Sequence, residues 1–194
     1  MNDITSVLRQ GNGVSGDEPL IKEDSLSVAH TFLIPFIFSD SFRRRDTQKI
    51  YIAKSDRIAH DLCSGKTTKI SHWLHKDRKR NRTSVVPPGT ARAQPAKSTI
   101  EILSVRQSGS ERGSMMKLFP ETGRPHQLRV ACASIGLPIL GDLKYGCHHS
   151  LSKGRAIALH ALELKIPHPT RREEMLCFRT PNLPFWSGKI DLKV

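Results

Sequence analysis

The stretch from Leu118 to Gly146 reads LFPETGRPHQLRVACASIGLPILGDLKYG, and its glycines and prolines leave it few ways to fold. Gly123 lets the chain turn sharply, and Pro125 suits the first turn of a helix. Residues 123–136 then have helical character, Gly136 suits the C-terminal cap, and Pro138 follows it.

Strand signals lie on both sides. Residues 48–56 (QKIYIAKSD) alternate apolar and polar side chains with β-branched and aromatic residues. Residues 98–107 (STIEILSVRQ) read as a second strand with Ile100, Ile102 and Val105 as core candidates. After the turn QSGSERGS, residues 115–122 (MMKLFPET) look like its hairpin partner, and residues 155–166 (RAIALHALELKI) like a further strand. Residues 75–95, dense in charge, proline and glycine, predict an exposed loop or hairpin. Residues 28–38 (VAHTFLIPFIF) predict a strand or short buried segment, since Pro35 interrupts any helix there. Several strands joined by tight turns, with few helices, predict an α+β domain around a mixed, largely antiparallel central sheet. The 194 residues suffice for one domain with a buried core.

Charge divides the chain near residue 40. Residues 1–40 hold Arg9 and Lys22 against six carboxylates, whereas the other 154 residues hold 29 bases against 12 acids. We therefore separate an atypical segment, 1–40, with a polar arm over 1–25, from a domain over 41–194. A net charge of +13 points to a polyanionic partner, most often nucleic acid.

Cys63, Cys132, Cys147 and Cys177 form no Cys-x-x-Cys pair, which argues against a zinc ribbon and for a reducing, cytoplasmic setting. His148 and His149 flank Cys147 without matching ligands elsewhere, so no metal is expected. His160, on an apolar strand, reads as a satisfied core histidine. The longest apolar run, 28–38, is too short to span a bilayer, and no secretory signal is visible, so no membrane partner is expected.

The densest chemistry is Gly123-Arg124-Pro125-His126-Gln127-Leu128-Arg129, where cationic and hydrogen-bonding groups crowd the start of a helix. Arginine pairs bidentately with carboxylate or phosphate, so the residues alone suggest an anion site or an ordinary solvated helix start.

Thr122 through Arg129, followed by Gly136-Leu137-Pro138-Ile139-Leu140-Gly141-Asp142-Leu143-Lys144-Tyr145-Gly146, resembles the third motif of the RluA-like pseudouridine synthases, TGRxHQIR…GxPIxGDxxYG. Lys49-Ile50-Tyr51-Ile52-Ala53 resembles the family's K-x-Y-x-A strand. Trp73-Leu74 and Lys76-Asp77 through Asn81 resemble its W-L-x-K-D…N stretch. Arg155 through Leu159-His160-Ala161, with His168-Pro169 after it, resembles R-x-x-L-H-A. The resemblance covers about 41–194.

It implies a pseudouridine-synthase-type sheet and isomerisation of uridine in structured RNA, ribosomal or transfer, by a monomer without cofactor or metal. The target base is flipped out of its stack and an aspartate attacks as nucleophile. Tyr51 matches the tyrosine that packs on the flipped base and is a candidate general base. Arg129, with Arg124 as the other candidate, matches the arginine that holds the aspartate ionised. His126 and Gln127 of the same motif are expected at the RNA surface. So are the clusters Arg43-Arg44-Arg45 and Lys76, Arg78, Lys79, Arg80 and Arg82, through phosphate contacts.

The nucleophile's own segment, H-R-L-D-x-x-T/V-S-G in the family, has no counterpart here. Asp17 precedes Glu18-Pro19 and Asp24 precedes Ser25-Leu26, so neither takes the role. The resemblance thus implies a scaffold incomplete at its N-terminus. Three accounts stay open: a shifted or misassigned reading frame before residue 41, a degenerate copy that binds RNA without catalysis, or an unrecognised aspartate.

Overall fold

The computed structural model describes residues 46–59, 64–107, 112–168, 171, 173–184 and 186. The expected polar arm, the 28–38 segment and Arg43-Arg44-Arg45 lie outside these residues.

Seven strands form one antiparallel sheet among the described residues: β1 (Gln48–Ser55), β2 (Thr67–Asp77), β3 (Arg82–Val86), β4 (Gln94–Arg106), β5 (Gly113–Pro120), β6 (Leu159–Pro167) and β7 (Met175–Arg179). Their spatial order is β3-β2-β4-β5-β1-β6-β7. One α-helix, α1 (Gln127–Ser134), follows β5.

The larger core cluster sits on one face. Tyr51 and Ala53 of β1 stand opposite Leu118 and Met116 of β5, which stand opposite Ile100 and Ile102 of β4. Directly paired residues share a face, so these six make an apolar row across three strands. Helix α1 packs Leu128, Ala131 and Cys132 onto it, and Leu137 and Ile139 extend the cover. Each large apolar side chain buried this way stabilises the fold by roughly 1.5–3 kcal/mol. A smaller cluster toward β2 joins Leu74, Ala96, Val130 and Tyr145, so α1 touches both.

The charged 75–95 stretch forms a hairpin. Strand β2 runs to Asp77 and pairs with β3, Lys76 opposite Thr83 and Asp77 opposite Arg82. Asn81 takes the left-handed conformation (φ 47) that the turn requires, and the Asp77 carboxylate accepts a bond from the Arg80 N–H at 3.0 Å.

The helix starts later than its proline suggested. Gln127 is its first residue, and His126 before it is left-handed (φ 55), which leaves Pro125 in the preceding turn. The C-terminal end is as expected. The Gly136 N–H donates to Ala133 O and the Leu137 N–H to Cys132 O, both at 3.0 Å, as in a Schellman cap, with Leu137 and Cys132 buried together.

Beyond that cap the chain returns to the end of β1. Leu140 donates its N–H to Lys54 O and accepts one from Ala158, both at 2.8 Å. Gly141 follows at φ 86, where a Cβ would run into the Ala156 carbonyl. This tight passage sets the position of Asp142.

Candidate functional site

Arg129, in the first turn of α1, meets Asp142. Its Nε donates to Oδ2 and its Nη2 to Oδ1, each at 2.7 Å. The Asp142 side chain is wholly buried, while that of Arg129 is 21% exposed. The hydrogen bonds to Asp142 push the Arg129 guanidinium further up, against a smaller opposing effect of burial. The guanidinium also stacks on Tyr145, 4.7 Å from the ring centre.

Tyr145 is the hub of the neighbouring polar network. Its hydroxyl accepts the buried Thr83 N–H at 2.8 Å and lies 2.8 Å from His126 Nδ1. His126 Nε2 in turn lies 3.3 Å from Lys76 Nζ. An ammonium only donates, so Nε2 accepts and Nδ1 carries the hydrogen that is donated to Tyr145. Lys76 also bonds the Asn81 side-chain oxygen, Lys144 Nζ donates to Asn81 O at 3.1 Å, and Thr83 Oγ1 donates to Pro125 O at 3.0 Å. These bonds tie the β2–β3 hairpin, the 124–126 turn and the 142–145 segment into one unit.

Cations predominate around it. Burial first, then Arg129, Lys76 and Lys144, hold the His126 imidazole below its ordinary range, with Asp142 opposing. Lys76 is likewise lowered, by partial desolvation first and then by Lys144 and Arg129.

Gln127 lies inside, not at the outer surface. It is 5% exposed. Its Oε1 accepts the Thr122 hydroxyl at 2.7 Å and the Arg124 N–H at 3.0 Å, while Nε2 donates to Lys97 O and Ser98 Oγ, both at 2.8 Å. The side chain braces the turn before α1 against β4.

A cleft of about 860 Å³ opens beside the unit, lined by Leu74 to Lys79, Thr83, Arg92, Gln94, Arg124 and Pro125. The lining carries five cations, Lys76, Arg78, Lys79, Arg92 and Arg124, and one carboxylate, Asp77. Arg124 is steadied there by donating Nε to Pro95 O at 3.1 Å. Arg80 and Arg82 are exposed on the same hairpin, with Arg82 stacked 5.6 Å from the Tyr145 ring centre.

The structure thus brings Lys76, Arg78, Lys79, Arg124 and His126 to one place, with Arg129 behind them. Tyr51 stands apart, half-buried against the larger core cluster. Its strand lies three steps from β2 in the sheet, about 14 Å at the usual strand spacing of about 4.8 Å. Sequence reasoning missed the roles of Thr83, Arg92, Asp142, Lys144 and Tyr145. Asp142 and Tyr145 were visible within the third motif, and their fixed spacing from Arg129 was the available signal.

His160 Nε2 lies 3.3 Å from Thr180 Oγ1, a partly buried contact within the protein. Cys147 and His149 both contact the Asp56 carboxylate. Among the described residues no group of three or more His, Cys, Asp or Glu side chains is arranged to hold a metal ion.

A sequence profile described as RNA pseudouridylate synthase matches residues 26–134. The chain belongs to this family. Mouse RNA pseudouridylate synthase domain-containing protein 1 is 32% identical over 148 residues, which span 74% of this chain and 47% of that protein. The dual-specificity RNA pseudouridine synthase RluA of Yersinia pestis is 33% identical over 129 residues, 66% of this chain and 58% of that protein. The chain spans about half the length of the curated relatives it matches. The human RNA pseudouridylate synthase domain containing 1 structure superposes with a TM-score of 0.55 at 26% identity, covering 81% of this chain and 62% of that one. Human RNA pseudouridylate synthase domain containing 4 gives 0.56 at 22% identity over 79% and 65%, a likeness of fold alone.

Proposed function

We propose that this member of the pseudouridine synthase family binds structured RNA, ribosomal or transfer, and isomerises uridine to pseudouridine wherever a nucleophilic aspartate completes its site. The observation that carries the RNA reading is the cleft in which Lys76, Arg78, Lys79, Arg92 and Arg124 converge with one opposing carboxylate. Such a lining follows a phosphate backbone and makes affinity salt-dependent. Tyr51 is the residue assigned to the flipped base, and Arg129 the arginine of the motif. The free thiols of Cys132, Cys147 and Cys177 fit a reducing cytosol.

A second reading, RNA binding without catalysis, rests on a specific observation. The sequence contains no Arg-Leu-Asp, and Arg129 already holds Asp142, whose buried oxygens are both engaged. The test incubates the purified 194-residue protein with bulk ribosomal and transfer RNA, scoring retention and pseudouridine formation. Retention without conversion is the expected result for the chain by itself. Conversion abolished by Asp17→Asn or Asp24→Asn establishes the enzyme reading instead.

A further inference from the structure

Lys76 and His126 face each other with Nζ 3.3 Å from Nε2. The contact holds only while His126 is neutral, because an imidazolium would turn a second donor toward the ammonium. Lys76 comes from β2, Arg82 from β3 across the Tyr145 ring, Arg129 from α1, and Asp142, Lys144 and Tyr145 from the segment after it. Asp142 has both oxygens on Arg129. Lys76 and Lys144 donate to neutral acceptors, on Asn81 and His126. Positive charge is therefore gathered around an imidazole whose outer nitrogen points at an ammonium.

We propose that one RNA backbone phosphate seats between Lys76 and His126, and that seating it draws a proton onto His126. A phosphate oxygen accepts from both groups at once, which the direct contact cannot satisfy. Proton uptake gives Nε2 a hydrogen to donate, while Nδ1 keeps its bond to Tyr145. Burial first, and then the neighbouring cations, hold the imidazole low, and the anion offsets the second of these. In free protein the imidazole titrates below its ordinary value; in the complex it titrates higher. Between those two values binding takes up a proton, so affinity rises as pH falls and levels off below the lower one.

The inference rests on the RNA-binding reading, and the experiment separates the two. Affinity of the full chain for a fluorescein-labelled stem–loop RNA with uridines in its loop is measured at constant ionic strength from about pH 5 to about pH 8.5, a range that brackets the ordinary histidine value. Calorimetry at one pH uses two buffers of different ionisation heat. The expected result is a gain approaching, at its steepest, roughly tenfold per pH unit, the limit for one proton, with a binding heat that depends on the buffer. His126→Asn, whose side chain tolerates the left-handed backbone (φ 55), is expected to bind RNA without that slope, while His160→Asn, on β6 outside the cleft lining, keeps it. Buffer-independent heat and pH-independent affinity in the unaltered protein overturn the inference and leave RNA binding standing. A slope that survives in His126→Asn also overturns it. Failure to bind RNA at any pH overturns the RNA reading itself.

Discussion

Asp142 gives both carboxylate oxygens to Arg129, at 2.7 Å each, and neither oxygen has access to water. A doubly engaged carboxylate of this kind is an anchor for the guanidinium, and it fixes where α1 sits relative to the Gly141–Gly146 passage. Arg129→Ala leaves that charge buried and unpaired. It is expected to destabilise the fold by about 3–5 kcal/mol, read from urea unfolding midpoints. Arg129→Met combined with Asp142→Leu is expected to regain much of the loss, because a matched apolar pair carries no stranded charge.

Tyr145→Phe removes one oxygen and strands two donors, the Thr83 N–H and His126 Nδ1–H. Thr83 is 2% exposed, so water cannot replace the missing acceptor. The expected cost is about 1–3 kcal/mol. Hydrogen exchange at the Thr83 amide should accelerate more than at the centre of β4, and equal protection at both sites would contradict the assigned network.

Neutralising Arg78, Lys79 and Arg80 with glutamine leaves the buried clusters untouched, since all three residues are exposed on the hairpin. RNA affinity is expected to fall and its dependence on salt to flatten, by roughly 0.7–0.9 in log–log slope for each phosphate that the protein no longer neutralises. Filter binding across a salt series reads both quantities, and an unchanged slope would show that the hairpin does not touch the backbone.

The described cysteines should separate by reactivity. Burial, reinforced by the Asp142 charge, pushes the Cys132 thiol up to about 12, so it stays protonated throughout the usable pH range. Cys177 is exposed. A neutral alkylating reagent at mildly alkaline pH is expected to modify Cys177 readily and to reach Cys132 only after denaturation, as peptide mass mapping would show.

Much of the sheet could be read from alternation alone. Strands β1, β4, β5 and β6 lie close to the segments that predicted them, because their apolar side chains pack in or against the larger core cluster. Strand β2 escaped notice because His72, His75 and two lysines break its alternation, leaving Ile70 and Leu74 as its buried apolar residues. Strand β7 escaped because none of its five residues is buried. The third motif marked the place of the site but not its internal wiring. Nothing in residue order shows that Gln127 turns inward to brace Lys97 and Ser98, or that Tyr145 reaches back 62 positions to Thr83. Those are long-range polar bonds, which depend on strand pairing rather than on local periodicity.

The place of β1 between β5 and β6 has a consequence for how the protein is made. Gln48 pairs with Lys165, and Tyr51 with both Leu118 and Ala161. The strand emerges from the ribosome early, yet one of its edges stays open until Pro167 has been synthesised. The β2–β3 hairpin, whose partners are near neighbours in the chain, can close long before that. During synthesis the cationic turn can therefore be shaped, and exposed to nearby RNA, while the sheet's centre is still waiting for its last strand.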